Sequence, residues 1–293
     1  MGLRDYTIYD FIRRNAFLYA DQEAIVYKDV RLTHREFKQK CDSLAAGLLR
    51  AGVGPGDRLG VVAHNCDEFV ILYGAAAKIG AIVVPVNWRF STDEVAYVLK
   101  DATPMFVFAG PDYRDQVLAL QPETDIEKYY TIGGGDVPAG YEPFSALYDD
   151  PGAGDEIDIT TDTGFVIIHT AAVEGRPRGA LLSQGNICAI DFQRIASEGF
   201  GPESCHMCLL PLFHIAGLAR LMAVMHAGGK NVIFGRFDPE QVLKGIEAEK
   251  GTTFFNFSPI LERLIDKHRE LGGHIDLSSL RTVGGLDQSE NLD

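Results

Sequence analysis

The stretch GFVIIHTAAVEGRPRGALLSQGN, residues 164–186, carries the side chains best suited to anion chemistry. An apolar run ends at His169 and Thr170. Two glycines, a proline and two arginines follow, and a helical pattern opens from Ser183. A loop joining a strand to a helix can hold phosphate, because the helix N-terminus offers free N–H groups and the positive end of its dipole. Arg176 and Arg178 add cations, and a guanidinium can grip phosphate through two hydrogen bonds. Yet Ala171, Ala172, Val173 and Glu174 stand where a phosphate cradle is expected to supply glycines and hydroxyls. From these residues alone, a phosphate loop and a plain turn both remain open. A second candidate is Cys205-His206-Met207-Cys208, which has the C-x-x-C spacing of metal and redox sites. No second cysteine pair or H-x3-H completes a zinc site, so these are expected to be structural cysteines on a strand. No metal site is assigned. No G-x-S-x-G elbow is present, which argues against an α/β-hydrolase.

The elements that must position these residues alternate along nearly the whole chain. EAIVYKDVRLT reads as a hairpin around Lys28-Asp29, and Thr33 with Glu36 forms a capping box for a helix ending at Gly52. RLGVVA is a buried strand, after which Asn65 is expected to cap a helix that ends near Gly80. AIVVPVN and MFVFAG are strands on either side of a helix capped by Ser91 and Glu94. The polar interval 133–162 reads as a long loop. Beyond FVIIHT, the pattern predicts a helix from Ser183, then MCLLPL, AGLARLMAVMH and NVIF as strand, helix and strand. Asp238 caps a helix with Pro239 at its first position, TTFFNF is a strand and ILERLIDKHREL a helix. Short β-branched runs between capped helices predict an α/β fold with mostly parallel sheets covered on both faces.

Composition narrows the partners. A formal net charge of −14 over 293 residues argues against nucleic acid and anionic membranes. Five cysteines without regular spacing predict reduced thiols. No window approaches the roughly 20 apolar residues of a membrane span. The N-terminus reads as neither a signal peptide nor a myristoylation site, since Tyr6 stands where Ser or Thr is required. The expectation is a cytoplasmic protein with no integral membrane segment.

Arg31 to Ala102, with its GVGPGDR turn and PVN, together with LLPLFHIAGL, FDPEQVLKGIE and the terminal Gly284-Gly285, resembles the acyl-adenylate-forming family. That family comprises acyl-CoA synthetases, luciferases and the adenylation domains of peptide synthetases. The resemblance runs in order over essentially the whole chain. It implies two doubly wound subdomains interleaved in sequence, residues 57–199 and residues 1–56 joined with 200–293. The activity it implies is ATP-dependent activation of a small carboxylic acid as acyl-AMP, followed by transfer to CoA, with Mg2+ as cofactor. Fatty acid metabolism is the implied setting, and a homodimer is left open.

The family's phosphate loop, Tyr/Phe-Thr-Ser-Gly-Thr-Thr-Gly-x-Pro-Lys-Gly, falls on His169 to Gly179. The resemblance carries phosphate contacts to Thr170, Gly175, Arg178 and Gly179, and places Glu174 beside them. The departure removes hydroxyl donors worth about 1.5–3 kcal/mol each at a charged group. Glu174 is tolerable there only if Mg2+, Arg176 or Arg178 offsets its charge. His214 takes the role of the histidine that orients carboxylate and adenylate, and Arg178, at the loop's lysine position, is the second catalytic residue implied. Phe213, Phe257 and Ser258 fall on the acyl pocket, Gly284 and Gly285 on the acyl-adenylate wall. Gln184 replaces a histidine of the family's Ser/Thr-His-x-Asn. The family's adenine motif, ribose aspartate and C-terminal lysine would lie beyond Asp293. The chain is therefore expected to be an N-terminal portion that makes no thioester alone. Two alternatives are a non-catalytic nucleotide or acyl-adenylate binding module, and a ligase that loads a carrier-protein thiol.

Overall fold

Short apolar runs of four to six residues alternate with helices, and each run joins one of two sheets. The computed structural model describes residues 5–150, 157–170 and 176–286. Helix α1 (Ile8–Leu18) leads to the hairpin β1 (Glu23–Tyr27) and β2 (Val30–Thr33), then α2 (His34–Arg50) and β3 (Arg58–Val62). The chain continues through α3 (Asp67–Ile79), β4 (Ile82–Pro85), α4 (Thr92–Ala102), β5 (Phe106–Ala109), the short α5 (Arg114–Leu118) and β6 (Lys128–Thr131). Then come β7 (Gly164–His169), β8 (Gly179–Ser183), α6 (Gln184–Glu198), β9 (Cys205–Cys208) and α7 (Ile215–His226). Last are β10 (Lys230–Ile233), α8 (Pro239–Glu249), β11 (Thr253–Phe257), α9 (Ile260–Glu270) and β12 (Thr282–Leu286).

One sheet has the order β6-β5-β3-β4-β7-β8 and the other β12-β11-β9-β10-β1-β2. Each has five parallel strands and one antiparallel edge, β8 in the first and β2 in the second. Strands of the first sheet come from residues 58–183, and those of the second from 23–33 and 205–286. Between the sheets lies the largest apolar core, built from α1, α2, α3 and α7 with Ile25, Val61, Phe106 and Ile233 from the strands. Helix α3 is apolar almost all round, as a helix enclosed between two sheets must be. On the outer face of the first sheet, Val95 and Leu99 of α4 cover Val62, Val84 and Val107. On the outer face of the second, Leu243 and Ile246 of α8 cover Val26, Met207 and Val232.

Three local expectations change. The loop after β7 does not lead into a helix. Gly179–Ser183 pairs antiparallel with Gly164–His169, and α6 begins only after it, capped by Ser183. A strand of five residues at about 3.3 Å each separates the α6 N-terminus from Arg178 by some 16 Å, so its dipole does not serve Arg178. The alternation of Ala180, Leu181 and Leu182 is short and follows the loop directly, which hid the strand. Asn65 is not a helix cap, for α3 is capped at Cys66. Its buried amide instead donates from Nδ2 to the carbonyls of Leu210 (2.9 Å) and Phe234 (3.2 Å) and accepts from the Leu212 N–H (2.8 Å). The polar interval is also more ordered than expected. Glu68 accepts from the Gly133 N–H at 2.7 Å, and a 3-10 turn at Phe144–Leu147 buries both end residues.

Gln184 is fully buried and joins two helices, accepting from the Ile8 N–H (3.1 Å) and donating to the Ala77 carbonyl (2.8 Å). Its role in this chain is structural.

Removing the Asn65 amide strands three backbone groups on the opposite sheet. Asn65→Ala is expected to lower the unfolding free energy by about 2–4 kcal/mol with little change in m-value, as read by urea denaturation. A loss below about 0.5 kcal/mol would mean that those groups find other partners.

Candidate functional site

In both sheets the chain leaves a central strand, goes to one neighbour, and then crosses to the other side. In the first sheet β3 lies between β4 and β5; in the second β9 lies between β10 and β11. Such switch points open a crevice beyond the carboxyl ends of the strands. Here the two crevices face each other and enclose a cavity of about 720 Å3. His64 and Asn65 enter it after β3, Trp88 and Arg89 after β4, and Tyr113 after β5. Leu209 to Pro211, Phe213 and His214 enter after β9, Gly235 to Phe237 after β10, and Phe257 and Ser258 at the end of β11. A neighbouring cavity of about 830 Å3 shares His64, Asn65, Tyr113 and Arg236 and runs on to Tyr27 and Lys28.

His214 is the N-cap of α7. Its Nδ1 accepts from the Ala216 N–H at 3.1 Å, which puts the proton of the neutral ring on Nε2. Partial burial holds its pKa below the usual histidine value. The ring meets Phe257 edge-on at 6.5 Å. Phe213 is buried and packs edge-on against Trp88 at 6.1 Å. Of the residues expected at the acyl site, Phe213, His214, Phe257 and Ser258 thus share one cavity wall.

A second group of residues lining the cavity was not read from the sequence. Nε2 of His64 meets the Tyr113 hydroxyl at 2.9 Å and Nε of Arg236 at 3.0 Å. Arg236 also reaches Asp112 at 2.6 Å. Burial, reinforced by the Arg236 charge, keeps the His64 ring below its ordinary pKa and hence neutral. Arg89 lies over Trp88, 4.1 Å from the ring centroid, and Arg263 over Phe237 at 4.9 Å. Three arginines and a neutral histidine in one crevice of a chain with net charge −14 make an anion-accepting surface. The available signal was the lone tryptophan, in the PVNWR turn directly after a buried parallel strand.

The glycine-rich loop is placed differently. Its stem closes as a hairpin, with the Thr170 N–H bonded to the Arg178 carbonyl at 3.0 Å. His169 contacts Asp101 at 3.0 Å and Arg176 lies 5.2 Å from the Tyr97 ring, both on α4. Arg178 and Gly179 are exposed, and Thr170, Arg178 and Gly179 do not line the main cavity. Ala171 to Gly175 lie outside the described residues, so the Glu174 and Gly175 assignments have no structural counterpart here.

Gly284 and Gly285 lie on β12 at the edge of the second sheet, paired with Phe255 and Asn256. A Cβ on Gly285 would come within 2.6 Å of the Asn256 carbonyl oxygen, and one on Gly284 within 3.0 Å of Arg220 Nη2. Close approach of backbone therefore requires glycine at 285, while at 284 a side chain would press on Arg220 and Phe255. Cys205 and Cys208 are buried thiols, with burial pushing them up to about 11 and about 12. Both lie on the buried strand β9. Among the described residues no cluster of His, Cys, Asp or Glu could hold a metal ion, and no helix is long and apolar enough to cross a membrane.

The capped form of His214 is the neutral one, because a protonated Nδ1 would become a donor facing the Ala216 N–H. The cap's contribution is complete above about pH 6.5 and is lost as pH falls through the lower value of the folded ring. Nuclear magnetic resonance should therefore give a midpoint for His214 below 6.5, with the Ala216 amide shifting at the same midpoint. A midpoint at or above 6.5 would contradict the arrangement.

The AMP-binding enzyme family matches residues 12–290. A feruloyl-CoA synthase of Amycolatopsis sp is 28% identical over 271 residues, 92% of this chain and 52% of that protein. An indoleacetate–CoA ligase of Aromatoleum aromaticum is 28% identical over 94% of this chain and 54% of its own. The chain thus spans about half the length of these curated relatives. A solved structure from Rhodopseudomonas palustris CGA009, provisionally designated a long-chain-fatty-acid CoA ligase, superposes with a TM-score of 0.92. It is 42% identical and the match covers 99% of this chain and 72% of that one. The anthranilate CoA ligase AuaEII, solved with anthranoyl-AMP, shares the fold at a TM-score of 0.87 and 20% identity, over 97% of this chain and 55% of its own. With two facing switch points and a match over nearly its whole length, the chain belongs to the AMP-binding enzyme family.

Proposed function

We propose that this chain is the N-terminal portion of an ATP-dependent carboxylic acid–CoA ligase. The division into 57–199 and 1–56 plus 200–293 follows the strand membership of the two sheets, and the cytoplasm is the proposed location. In the reaction, a carboxylate oxygen attacks the α-phosphorus of ATP and the bond to the β-phosphate breaks, giving acyl-AMP and pyrophosphate. A CoA thiolate then attacks the acyl carbon and AMP leaves. The observation that carries this reading is the cavity that brings Phe213, His214, Phe257 and Ser258 together with Arg89, Arg236 and Arg263 between the two sheets.

Each residue's part follows from its placement. The Nε2–H of neutral His214 supplies a donor for the carboxylate or the adenylate oxygens, held in register by the α7 cap. Preorganised donors of this kind lower the barrier because they need no reorientation during reaction. Gly284 and Gly285 are assigned to the acyl-adenylate wall, and Phe257 and Ser258 border the acyl group. Thr170, Glu174, Gly175, Arg178 and Gly179 are assigned to the phosphates. With Ala171, Ala172 and Val173 lacking side-chain donors, backbone N–H groups, Thr170 and Arg178 must provide the grip. Mg2+ would enter with the ATP phosphates, and no protein ligand is assigned to it.

A second reading, a binding module without turnover, draws support from one observation. The loop stem is tied to α4 through Asp101 and Tyr97 and is absent from the main cavity wall. Pyrophosphate release from ATP across a panel of carboxylic acids, in the full-length protein, separates the two. Release would be followed by product analysis with CoA and with a carrier protein to identify the thiol.

Arg178→Ala is expected to lower adenylate formation about tenfold or more in a pyrophosphate-exchange assay, since a charge-assisted phosphate contact is worth about 1.5–3 kcal/mol. Unchanged exchange would make that cation structural. Glu174→Thr is expected to leave ATP affinity equal or improved, because it removes a like charge from the phosphates. Abolished activity in that variant would give Glu174 an active role.

A further inference from the structure

Strand β8 is the antiparallel edge of the first sheet, and its first three residues, Gly179 to Leu181, are exposed. Burial therefore does not fix where this strand begins. His169 and Gly179, the last register pair of β7 and β8, directly flank Thr170 and Arg178. The His169 side chain is 3% exposed, and its Nε2 lies 3.0 Å from Oδ2 of Asp101 in the last turn of α4. An ionised carboxylate only accepts, so Nε2 donates. The Nδ1 atom is buried without a partner among the described residues, which leaves Asp101 as the polar anchor of the ring. A Cβ at position 179 would stand 3.1 Å from Nε2 and 2.8 Å from Cγ2 of Ile167, so the glycine makes room for the anchored ring. One helical turn before Asp101, on the same face of α4, the Tyr97 ring lies 5.2 Å from the Arg176 guanidinium carbon. One face of α4 thus holds both arms of the hairpin. Asp101 draws no support from its own helix, because a carboxylate in the last turn stands at the negative end of the dipole.

We propose that Asp101 and His169 are positioning residues for ATP, whose bond sets how the hairpin stem presents Thr170 and Arg178 to the phosphates. The inference rests on the reading above, in which Thr170 and Arg178 meet those phosphates. Neither Thr170 nor Arg178 lines the cavity that holds His214, so the phosphates they reach are the two that leave as pyrophosphate. Asp101 and His169 act through the stem and touch no phosphate themselves. Without their bond, only the ladder to β7 and the contact of Arg176 with Tyr97 would hold the start of an exposed edge strand. A misplacement of about 1 Å in such a contact can cost about a hundredfold. Charge alone predicts the opposite sign, since removing a carboxylate near the phosphates would strengthen ATP binding. Asp101→Asn separates geometry from charge, because its amide oxygen still accepts from Nε2.

The test is calorimetric titration of the full-length protein with α,β-methylene-ATP, in which the bond that breaks is blocked, and with AMP. The Asp101 side chain is 44% exposed, so its substitution leaves the core untouched. Asp101→Ala is expected to weaken the ATP analogue about fivefold or more while changing AMP affinity less than about twofold. Asp101→Asn should stay within about twofold of wild type for both ligands. His169→Phe keeps a ring of similar size without the nitrogen and should match Asp101→Ala, with the double variant no weaker than either single one. Unchanged analogue affinity in Asp101→Ala and His169→Phe would overturn the positioning role and leave the phosphate assignment in place. So would an equal loss for the analogue and AMP, which a general loosening of the fold would give. Tighter analogue binding by both Asp101 variants would make the carboxylate a source of repulsion and not a tether. No binding of the analogue by the wild-type protein would overturn the assignment of Thr170 and Arg178 to the phosphates, and the positioning role with it.

Discussion

The arrangement of this protein depends on one buried amide. Asn65 leaves the central strand of the first sheet and bonds three backbone groups of the second, at Leu210, Leu212 and Phe234. Those groups lie in the turns after β9 and β10, where the strand ladders have ended and no sheet partner remains. Buried backbone groups must be paired, so the amide fixes which turn faces which. The Tyr73 hydroxyl adds a fourth bond to the same turn, to the Leu212 carbonyl at 3.0 Å. The facing of two switch points, and so the existence of a shared cavity, follows from these contacts.

The helices between the sheets make that facing rigid. Helix α3 touches both β4 and β1, one from each sheet, and nearly all its side chains are buried. A close-packed layer of this kind transmits position from one sheet to the other with little slack. Two polar side chains within it are tied to specific partners. Gln184 spans α1 and α3, and Arg220 is held by Glu198. An unpaired charge at that depth would cost several kcal/mol.

Charge is distributed to match. The chain is strongly acidic overall, yet Arg89, Arg236 and Arg263 border the cavity, two of them lying over aromatic rings. A guanidinium stacked on a ring keeps its charge and its donors while losing rotational freedom. An anionic ligand approaching an acidic surface would find its attraction focused in this crevice.

The sequence by itself determined the local elements and the class of fold. Capping boxes at Thr33 and Ser91 and the Asp238-Pro239 start define helices through contacts three residues apart, and parallel strands show as unbroken apolar runs because both faces are covered. His214 and Phe257 could be singled out for the same reason, since each belongs to a continuous motif. What only the tertiary structure decided were contacts between distant turns. Asn65 looks like a cap to its neighbours in sequence, but its partners are about 150 residues away. Trp88, Tyr113 and Arg236 come from three separate turns, and nothing local marks them as one wall. The strand β8 was hidden for a related reason: an edge strand is defined by its partner β7, and a run of Ala180, Leu181 and Leu182 has no periodicity long enough to announce it. Pairing partners and facing turns are properties of the packed chain, and no window of sequence contains both sides.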